Sequence, residues 1–239
     1  MTETPGLDDL DFLLSERPRD ARAAYDRAAS RYEHFRDLWL KLAGGEAEAK
    51  MRAILNEVVL SEARILDAGA GTGAMSRVIL AARESARLAL LDQSLAMLSH
   101  AADVKGYRVG GDVGALPFAD GTFEVVVSAW VIETLSDPAQ AVGEYLRVLS
   151  TTGSLLYSFC SLPGGWFSRA GSFLLRKAVE RGFAGKFLPP EEAPWHDCAR
   201  SRRWRFHGGL TTLVLLRKCC SVGHGVLPVP MEEVPPAVV

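Results

Sequence analysis

The sequence predicts a doubly wound α/β fold, in which a mostly parallel sheet carries helices on both faces. Short apolar runs with strand character alternate with segments of helical pattern, beginning with Arg64 to Ala68 and Met75 to Arg83. Between these two segments, Gly69, Gly71 and Gly73 alternate with small residues. Glycines permit a tight turn and let a ligand lie against bare backbone, and the N-terminus of the following helix points back at the turn. A nucleotide-sized site is therefore expected at the carboxyl end of the first strand.

Composition favours one globular domain with no general attraction to nucleic acid. The 239 residues are 48% hydrophobic and 23% charged, and the net charge is -2. The four cysteines form no paired framework, which is typical of a reducing cytoplasm. Residues 1–10 lack the apolar core of a signal peptide, and no apolar run reaches the roughly 20 residues of a membrane span. We therefore expect a cytoplasmic protein.

Two classes of ligand fit the glycine-rich turn. Gly69, Gly71 and Ala74 satisfy the Gly-x-Gly-x-x-Gly/Ala pattern of dinucleotide-binding proteins. The order Asp67-x-Gly69-x-Gly71-x-Gly73 closely resembles the motif of S-adenosylmethionine (SAM) methyltransferases. A structural alternative is that the glycines only let a helix pack close to a strand. The choice between these interpretations depends on the residues downstream of the turn.

An acidic residue, Asp92, follows the second buried strand, Arg87 to Leu91, and lies 23 residues after Gly69. A carboxylate at the end of this strand can accept hydrogen bonds from both ribose hydroxyls of a nucleoside. The alternative is that Asp92 caps a helix at Gln93 to Ala101. Because NAD and SAM both carry the ribose, Asp92 does not distinguish them. Gln93 would border the same pocket by its position alone.

The segment at residues 111–126, GDVGALPFADGTFEVV, favours SAM over NAD. It closely resembles the Gly-Asp-x-x-x-Leu-Pro-Phe-x-Asp-x-x-Phe-Asp-x-Val block of SAM methyltransferases, with Glu124 in place of the usual Asp. The resemblance implies that Asp112 accepts a hydrogen bond from the adenine amino group and that the Val113 backbone N–H donates to a ring nitrogen. An NAD-linked oxidoreductase, which the glycine turn and Asp92 also fit, would leave this block unexplained.

The fourth strand, Val125 to Val131, leads into residues 132–138, IETLSDP. Ala129 is small enough to face a cofactor near the end of this strand, and the ring face of Trp130 could favour a sulfonium charge. IETLSDP resembles the Leu-Glu-His-Leu/Val-x-Asp-Pro of the family, but Thr134 replaces the usual His. No role is carried over from that His, so a non-catalytic SAM-binding or regulatory protein stays an alternative.

Residues 18–42 are predicted to form one or two helices ahead of the first strand. The segment at residues 25–32, YDRAASRY, places its two tyrosines on one helical face. It resembles the Phe/Tyr-Asp-x-x-Ala-x-x-Tyr of quinone-biosynthesis and related small-molecule methyltransferases, which implies a lid beside the SAM pocket. Core packing is the alternative. The glycine pair at residues 44–45 predicts a break before a second helix, Glu46 to Val59.

The stretch that least resembles the family, residues 162–198, is where we expect the acceptor to be recognised. Residues 164–188 have helical spacing and carry five basic groups against one acid, Glu180. One interpretation is a cap helix whose basic side is solvated. The other is a pocket for a lipophilic or anionic acceptor, or an interfacial helix in contact with a membrane surface. His196 is a general base or a solvated loop residue, and with Cys198 it offers too few ligands for a metal site.

These observations predict a class I SAM-dependent methyltransferase that resembles the quinone-biosynthesis group and methylates a small, apolar acceptor. Residues 18–220 would form a single domain with N-terminal helices at 18–59 and a cap insertion at 162–198. The resemblance implies a Rossmann-like seven-stranded sheet, mostly parallel with an antiparallel C-terminal strand. Residues 1–17 are expected to be a mobile N-terminus, and residues 221–239 a loose tail. The sequence identifies no acceptor, general base or oligomeric state.

The predicted site residues fall into two groups, and none of them is assigned a catalytic role. Those expected to bind SAM are Asp67, Gly69, Gly71, Gly73, Asp92, Gln93, Asp112, Val113 and Ala129. Those expected to line the acceptor pocket are Tyr32, Trp130, Glu133 and His196.

Overall fold

The computed structural model describes residues 20–164, 166–183, 185–194, 199–218 and 232–233. The strands of its central sheet are β1 (Arg64–Ala68), β2 (Arg87–Asp92), β3 (Tyr107–Gly110), β4 (Phe123–Ala129), β5 (Leu149–Cys160), β6 (Ala199–Phe206), β7 (Thr211–Lys218) and β8 (Glu232–Glu233). Their spatial order is β3-β2-β1-β4-β5-β7-β6-β8. Neighbouring strands are parallel, except that β7 runs antiparallel to both β5 and β6. The predicted sheet, mostly parallel with an antiparallel C-terminal strand, is confirmed, and the short β8 extends its edge.

Helices cover both faces of this sheet, as the doubly wound prediction requires. They are α1 (Ala21–Ala28), α2 (Tyr32–Trp39), α3 (Gly45–Val58), α4 (Ala74–Ala82), α5 (Leu95–Ser99), α6 (Pro138–Val148), α7 (Trp166–Gly171) and α8 (Phe173–Phe183). Two buried clusters hold the layers together. One contains Met51 of α3 and Ile79 of α4, and the other contains Val142 and Leu146 of α6. Burial of such side chains supplies most of the free energy that fixes helices to a sheet.

The chain reverses its winding direction between β1 and β4, which are neighbours in the sheet. From β1 the chain moves outward to β2 and β3, and then returns to the other side of β1 to form β4. The loops that follow β1 and β4 therefore separate to opposite faces and leave a crevice at the carboxyl edge of the sheet. Open α/β sheets bind ligands at such a point. Asp92 and Ala129, which end β2 and β4, lie at this edge.

The predicted break at Gly44 and Gly45 is wrong. A π-helical turn, Leu40–Gly44, joins α2 to α3, and Gly45 has helical dihedral angles of φ -63° and ψ -43°. A Cβ atom on Gly44 would lie 2.7 Å from Trp39 Nε1 and 3.1 Å from Trp130 Cζ2. This glycine is therefore required for the close approach of two indole rings, and it does not interrupt the helix. Short π-helical turns of this kind are common at functional sites.

The insertion after β5 folds back over the carboxyl edge of the sheet. Leu188 donates its backbone N–H to Cys160 O at 3.0 Å, and Lys186 donates its own to Glu133 O at 2.9 Å. Rings from α8 and α1 also meet, since the centroids of Tyr25 and Phe183 are 5.8 Å apart. Two helical segments that are far apart in the chain thus cover the same crevice.

Several sequence predictions fall on residues outside the described ranges. These are the N-terminus at 1–17, the loop 195–198 with His196, and the tail at 221–239 apart from residues 232–233. The extents of the domain and of its cap insertion stay predictions. In the part of the chain that the structure describes, no helix combines the length and the apolar character needed to cross a membrane.

Candidate functional site

The glycine-rich turn after β1 has a backbone that only glycine tolerates well. Gly69 has φ +76°, in the left-handed region, and its N–H donates to Leu91 O of the neighbouring strand at 2.8 Å. A Cβ atom on Gly69 would lie 2.3 Å from Val131 Cγ2. Gly71 has φ +54° and follows in the same turn. The backbone of this turn therefore forms one wall of the crevice without side chains that would keep a ligand away.

Asp92 connects the turn to the loop after β2. One carboxylate oxygen accepts a hydrogen bond from the Gly71 N–H at 2.8 Å, and the other accepts from the Ser94 N–H at 2.8 Å. Ser94, and not Asp92, caps helix α5, because its hydroxyl accepts from the Met97 N–H at 3.1 Å. Burial raises the pKa of Asp92 above its ordinary value, and these backbone donors oppose that shift. Each oxygen keeps capacity for a further donor.

A first pocket gathers seven of the nine residues that the sequence predicts to bind SAM, and we call it the cofactor pocket after that prediction. These are Gly69, Gly71, Asp92, Gln93, Asp112, Val113 and Ala129. Side chains from outside the predicted set, Met97 and Leu135, complete this wall, and Tyr25 and Tyr32 of the N-terminal helices line the pocket as well. The glycine turn and two carboxylates, from Asp92 and Asp112, thus face one narrow space of about 60 Å³.

The other two predicted cofactor residues, Asp67 and Gly73, lie behind the turn and do not line the pocket. Asp67 is buried, and its carboxylate accepts a hydrogen bond from Ser76 Oγ at 2.6 Å. Burial raises the pKa of Asp67 to about 7. Gly73 precedes helix α4, and a Cβ atom there would lie 2.9 Å from the Ala101 Cβ. Asp67 thus fixes α4 to β1 through Ser76, and Gly73 lets the start of α4 approach Ala101 closely. Ser76 was not predicted, although a hydroxyl in the first turn of the helix was a usable signal.

A second cavity adjoins the cofactor pocket and has a volume of about 190 Å³. We call it the acceptor cavity, because it includes residues that the sequence predicts to line the acceptor pocket. Tyr25, Tyr32, Trp130 and Thr134 line both spaces. Aromatic and aliphatic side chains make most of the remaining wall, among them Phe35, Leu38, Trp39, Leu175, Val179 and Phe187. Of the four predicted acceptor-pocket residues, Tyr32, Trp130 and Glu133 line this cavity, and His196 lies outside the described residues.

Trp130 is placed at the junction of the two spaces by an unusual backbone. It has φ +54°, a conformation that a bulky residue rarely adopts, and its N–H donates to Ser158 O at 2.9 Å. Strained backbone of this kind costs on the order of 1–3 kcal/mol and occurs most often at functional sites. Its indole nitrogen is buried and has no hydrogen-bond partner among the described residues.

Glu133 brings a carboxyl group into an otherwise apolar wall. It is 4% exposed, and its Oε1 accepts a hydrogen bond from the Cys160 N–H at 3.2 Å. Its Oε2 is buried without a partner among the described residues. Burial raises the pKa of Glu133 to about 7, because the ionised form loses hydration. The neighbouring Thr134 directs its hydroxyl to Val131 O at 2.7 Å, so its side chain is engaged with its own loop.

Comparison with known proteins identifies the family. A family model described as "Methyltransferase domain" matches residues 66–157. A demethylmenaquinone methyltransferase of Thermobifida fusca is 31% identical over 202 residues, which span 78% of this chain and 84% of that protein. The chain belongs to the class I SAM-dependent methyltransferases. It is thus an enzyme that methylates a small substrate, as the sequence predicted.

More distant similarities agree with this methyltransferase family. A malonyl-[acyl-carrier protein] O-methyltransferase of Methylovorus sp. is 30% identical over 159 residues, covering 62% of this chain and 52% of that protein. The methyltransferase in a complex with the Trm112 activator from Haloferax volcanii has the same fold, with a TM-score of 0.68 and 16% identity over 86% of this chain and 100% of that one. The family and the fold imply SAM as the cofactor.

The cofactor pocket of this methyltransferase is lined by the carboxyl residues Asp92 and Asp112, which can accept hydrogen bonds. The turn at Gly69 has no room for a side chain. No group of three His, Cys, Asp or Glu side chains in the described ranges could hold a metal ion.

Proposed function

We propose that this methyltransferase transfers a methyl group from SAM, bound in the cofactor pocket, to a small apolar acceptor bound in the acceptor cavity. The observation that carries the proposal is the junction at Trp130, where the two spaces share a wall. When a donor and an acceptor are held side by side, their bimolecular reaction becomes effectively unimolecular. Such alignment can supply much of the rate enhancement.

The lining residues support specific contacts with SAM. Asp92 would accept hydrogen bonds from the ribose hydroxyls, and Asp112 would accept one from the adenine amino group. The Val113 N–H would donate to a ring nitrogen. Gly69 and Gly71 would let the ligand lie against the backbone. Gln93 and Ala129 would border it, while Asp67 and Gly73 would hold the turn from behind.

Bound SAM supplies a methyl group that its positively charged sulfur has already activated. The protein then has to align the acceptor and exclude water, which would otherwise weaken electrostatic effects in the site. The aromatic cover suits this role: the ring centroids of Phe35 and Phe183 are 5.6 Å apart, and those of Tyr25 and Tyr32 are 5.9 Å apart. The face of Trp130 would favour a positive charge beside it.

We infer that α1 and α2 act as a lid over the cofactor pocket. Tyr25 of α1 and Tyr32 of α2 line the cofactor pocket, so these helices cover the space that SAM would fill. Two side-chain hydrogen bonds would hold the lid closed: Thr72 donates to Glu33, and Ser94 donates to Asp26. Both contacts reach the loops that would bind the nucleoside, which links cofactor binding to lid position.

The acceptor cavity supports a ligand with an apolar body. An engineered apolar cavity of about 150 Å³ holds a benzene ring. The acceptor cavity, with a volume of about 190 Å³, therefore has room for one ring with a short extension. Leu42 lines the cavity and is 46% exposed, so it marks an opening through which a longer chain could leave. Two relatives are named for methylation of demethylmenaquinone and of malonyl-[acyl-carrier protein].

Replacement of Asp92 by alanine is expected to weaken SAM binding by about 1–3 kcal/mol, because a buried polar contact to the ligand loses its charged acceptor. Isothermal calorimetry with SAM measures this change. Asp120→Ala is the matched control, since the Asp120 side chain is 81% exposed and lies in a surface ion pair with Arg147. Wild-type affinity in a folded Asp92→Ala protein would remove Asp92 from the site.

Contact of residues 164–188 with a membrane surface is a second, separable expectation. Phe173 and Leu174 of α8 are 50% and 80% exposed, and the exposed Lys177 lies on the same helix. Apolar side chains next to cations favour the interface of an anionic bilayer. We expect the protein to float with phosphatidylserine-containing vesicles at low salt, and Phe173→Ser with Leu174→Ser to abolish this. An absence of co-flotation in the wild type would contradict membrane contact.

A further inference from the structure

Three residues in the wall of the acceptor cavity each have a buried polar atom that finds no hydrogen-bond partner among the described residues. These atoms are the indole nitrogens of Trp39 and Trp130 and the Oε2 atom of Glu133. All three residues line the same cavity. A buried polar group without a partner costs about 1–3 kcal/mol, so native proteins rarely keep three of them around one apolar space unless something binds there.

The positions of these three groups are set by features that do not depend on one another. Gly44 in the π-helical turn lets the two indole rings approach, and Phe187 packs edge-on against Trp39 with ring centroids 6.3 Å apart. Glu133 is held by the Cys160 N–H through its other oxygen, Oε1. A single cavity wall therefore contains a strained residue, Trp130, a π-helical turn and a buried carboxyl group.

The donor and acceptor balance of these groups limits the chemical classes that could bind all three. An indole nitrogen can only donate a hydrogen bond, and an ionised carboxylate can only accept one. The wall of the cavity thus holds two donors and one acceptor. A hydroxyl group presents the complement, with one O–H donor and two lone pairs. An ammonium group has no lone pair for the indoles, and an ether has no proton for Glu133.

We propose that the acceptor carries a hydroxyl group, that the indole N–H groups of Trp39 and Trp130 donate to its oxygen, and that Glu133 accepts its proton. This deepens the proposed function and rests on it. In the proton step the O–H bond breaks, its electron pair stays on the ligand oxygen, and the proton passes to Glu133 Oε2. The oxygen gains nucleophilic character while the two indole donors stabilise its negative charge.

The pKa of Glu133 is consistent with its role as the acceptor of the hydroxyl proton. Burial raises the pKa of Glu133 to about 7, and burial also raises the pKa values of the tyrosines and the thiol around it, which stay neutral. The titratable and charged side chains that line the cavity or act on this carboxyl are those of Tyr25, Tyr32, Arg36, Tyr145, Cys160 and Lys186. Arg36 is already paired with Glu48. Glu133 is therefore the carboxyl in this wall that changes charge near neutral pH.

Three probes with one apolar body test the proposal: 4-propylphenol, 4-propylanisole and propylbenzene. We expect calorimetry of the full chain to give 4-propylphenol at least about a tenfold tighter binding than propylbenzene, with 4-propylanisole closer to propylbenzene. The preference for the phenol should grow as pH rises through the pKa of Glu133, because only the carboxylate takes the proton. These are binding measurements and need neither SAM nor turnover.

Variants of Glu133, Trp39 and Trp130 test whether these three residues cause the preference for the phenol over propylbenzene. Glu133→Gln keeps the size of the side chain and should remove both the pH dependence and most of the preference, while propylbenzene binding stays within about twofold. Trp39→Phe and Trp130→Phe keep a ring and should each lower the affinity for the phenol and the anisole alike, because each removes one donor. Glu62→Gln, whose side chain is 58% exposed in an ion pair with Arg87, is the matched control.

The possible failures are distinguishable. If all three probes bind alike and Glu133→Gln changes nothing, the three groups are satisfied by bound water, and the hydroxyl proposal is overturned while the cavity stands. If none of the probes binds, the proposed function itself loses its acceptor site. Thermal melts of each variant separate lost binding from lost folding.

Discussion

Filling the acceptor cavity, by replacing Ala178 with tryptophan, is expected to abolish acceptor binding while SAM affinity stays within about twofold of wild type. Ala178 lies on α8, and it lines the acceptor cavity but not the cofactor pocket. A tryptophan there adds a large side chain to a space of about 190 Å³, which leaves too little room for a ring. Calorimetric titration with propylbenzene and with SAM measures both effects on one preparation.

The matched control for this variant is Ala170→Trp, because Ala170 is exposed on the neighbouring helix α7. It should bind both ligands as the wild type does. If Ala178→Trp fails to fold, Val179→Phe makes a smaller change in the same wall. Unchanged propylbenzene binding in a folded filled variant would place the acceptor elsewhere on the molecule.

Replacement of Gly69 by alanine is expected to destabilise the protein and to abolish detectable SAM binding. The left-handed backbone at φ +76° costs an L-residue about 1–2 kcal/mol. The new Cβ atom would also meet Val131 Cγ2 at 2.3 Å, and overpacking typically costs a further 1–3 kcal/mol or so. We therefore expect the free energy of unfolding to fall by about 2–5 kcal/mol in a urea titration, with a SAM affinity lowered at least about tenfold.

A second substitution separates the two causes of this loss. Val131→Ala in the Gly69→Ala background removes the clash but leaves the backbone strain, so it should recover only part of the stability. Gly143→Ala is the glycine control, because nothing lies within 4 Å of a Cβ atom there and alanine favours the helix interior. A Gly69→Ala protein with wild-type stability and SAM affinity would show that the turn does not need its glycine.

The cofactor half of the site could be predicted from sequence because its residues are fixed locally. Gly69, Gly71, Asp92 and Ala129 lie at the ends of short buried strands, and parallel strands bring their carboxyl ends to one edge of a sheet. Once the alternation of strands and helices is recognised, these residues must come together. The right-handed connections of such folds then determine the face of the sheet on which each helix lies.

The acceptor half could not be predicted in the same way. Trp39, Cys160 and Phe187 come from a helix, a strand end and a return loop that are far apart in the chain, and only tertiary packing brings them to one cavity. Gly44 shows a related difficulty, because a glycine that allows two rings to approach looks the same in a sequence as one that breaks a helix. Ser94 likewise takes the capping role that was considered for Asp92.

The most direct test of separate sites for the cofactor and the acceptor is a set of calorimetric titrations of two variants with two ligands. Asp92→Ala and Ala178→Trp are each titrated with SAM and with propylbenzene, beside the wild type. The account predicts a double dissociation: Asp92→Ala loses affinity for SAM and keeps propylbenzene, and Ala178→Trp keeps SAM and loses propylbenzene. If either folded variant loses both ligands together, or if the losses are reversed, the separate cofactor pocket and acceptor cavity described here do not exist as functional sites.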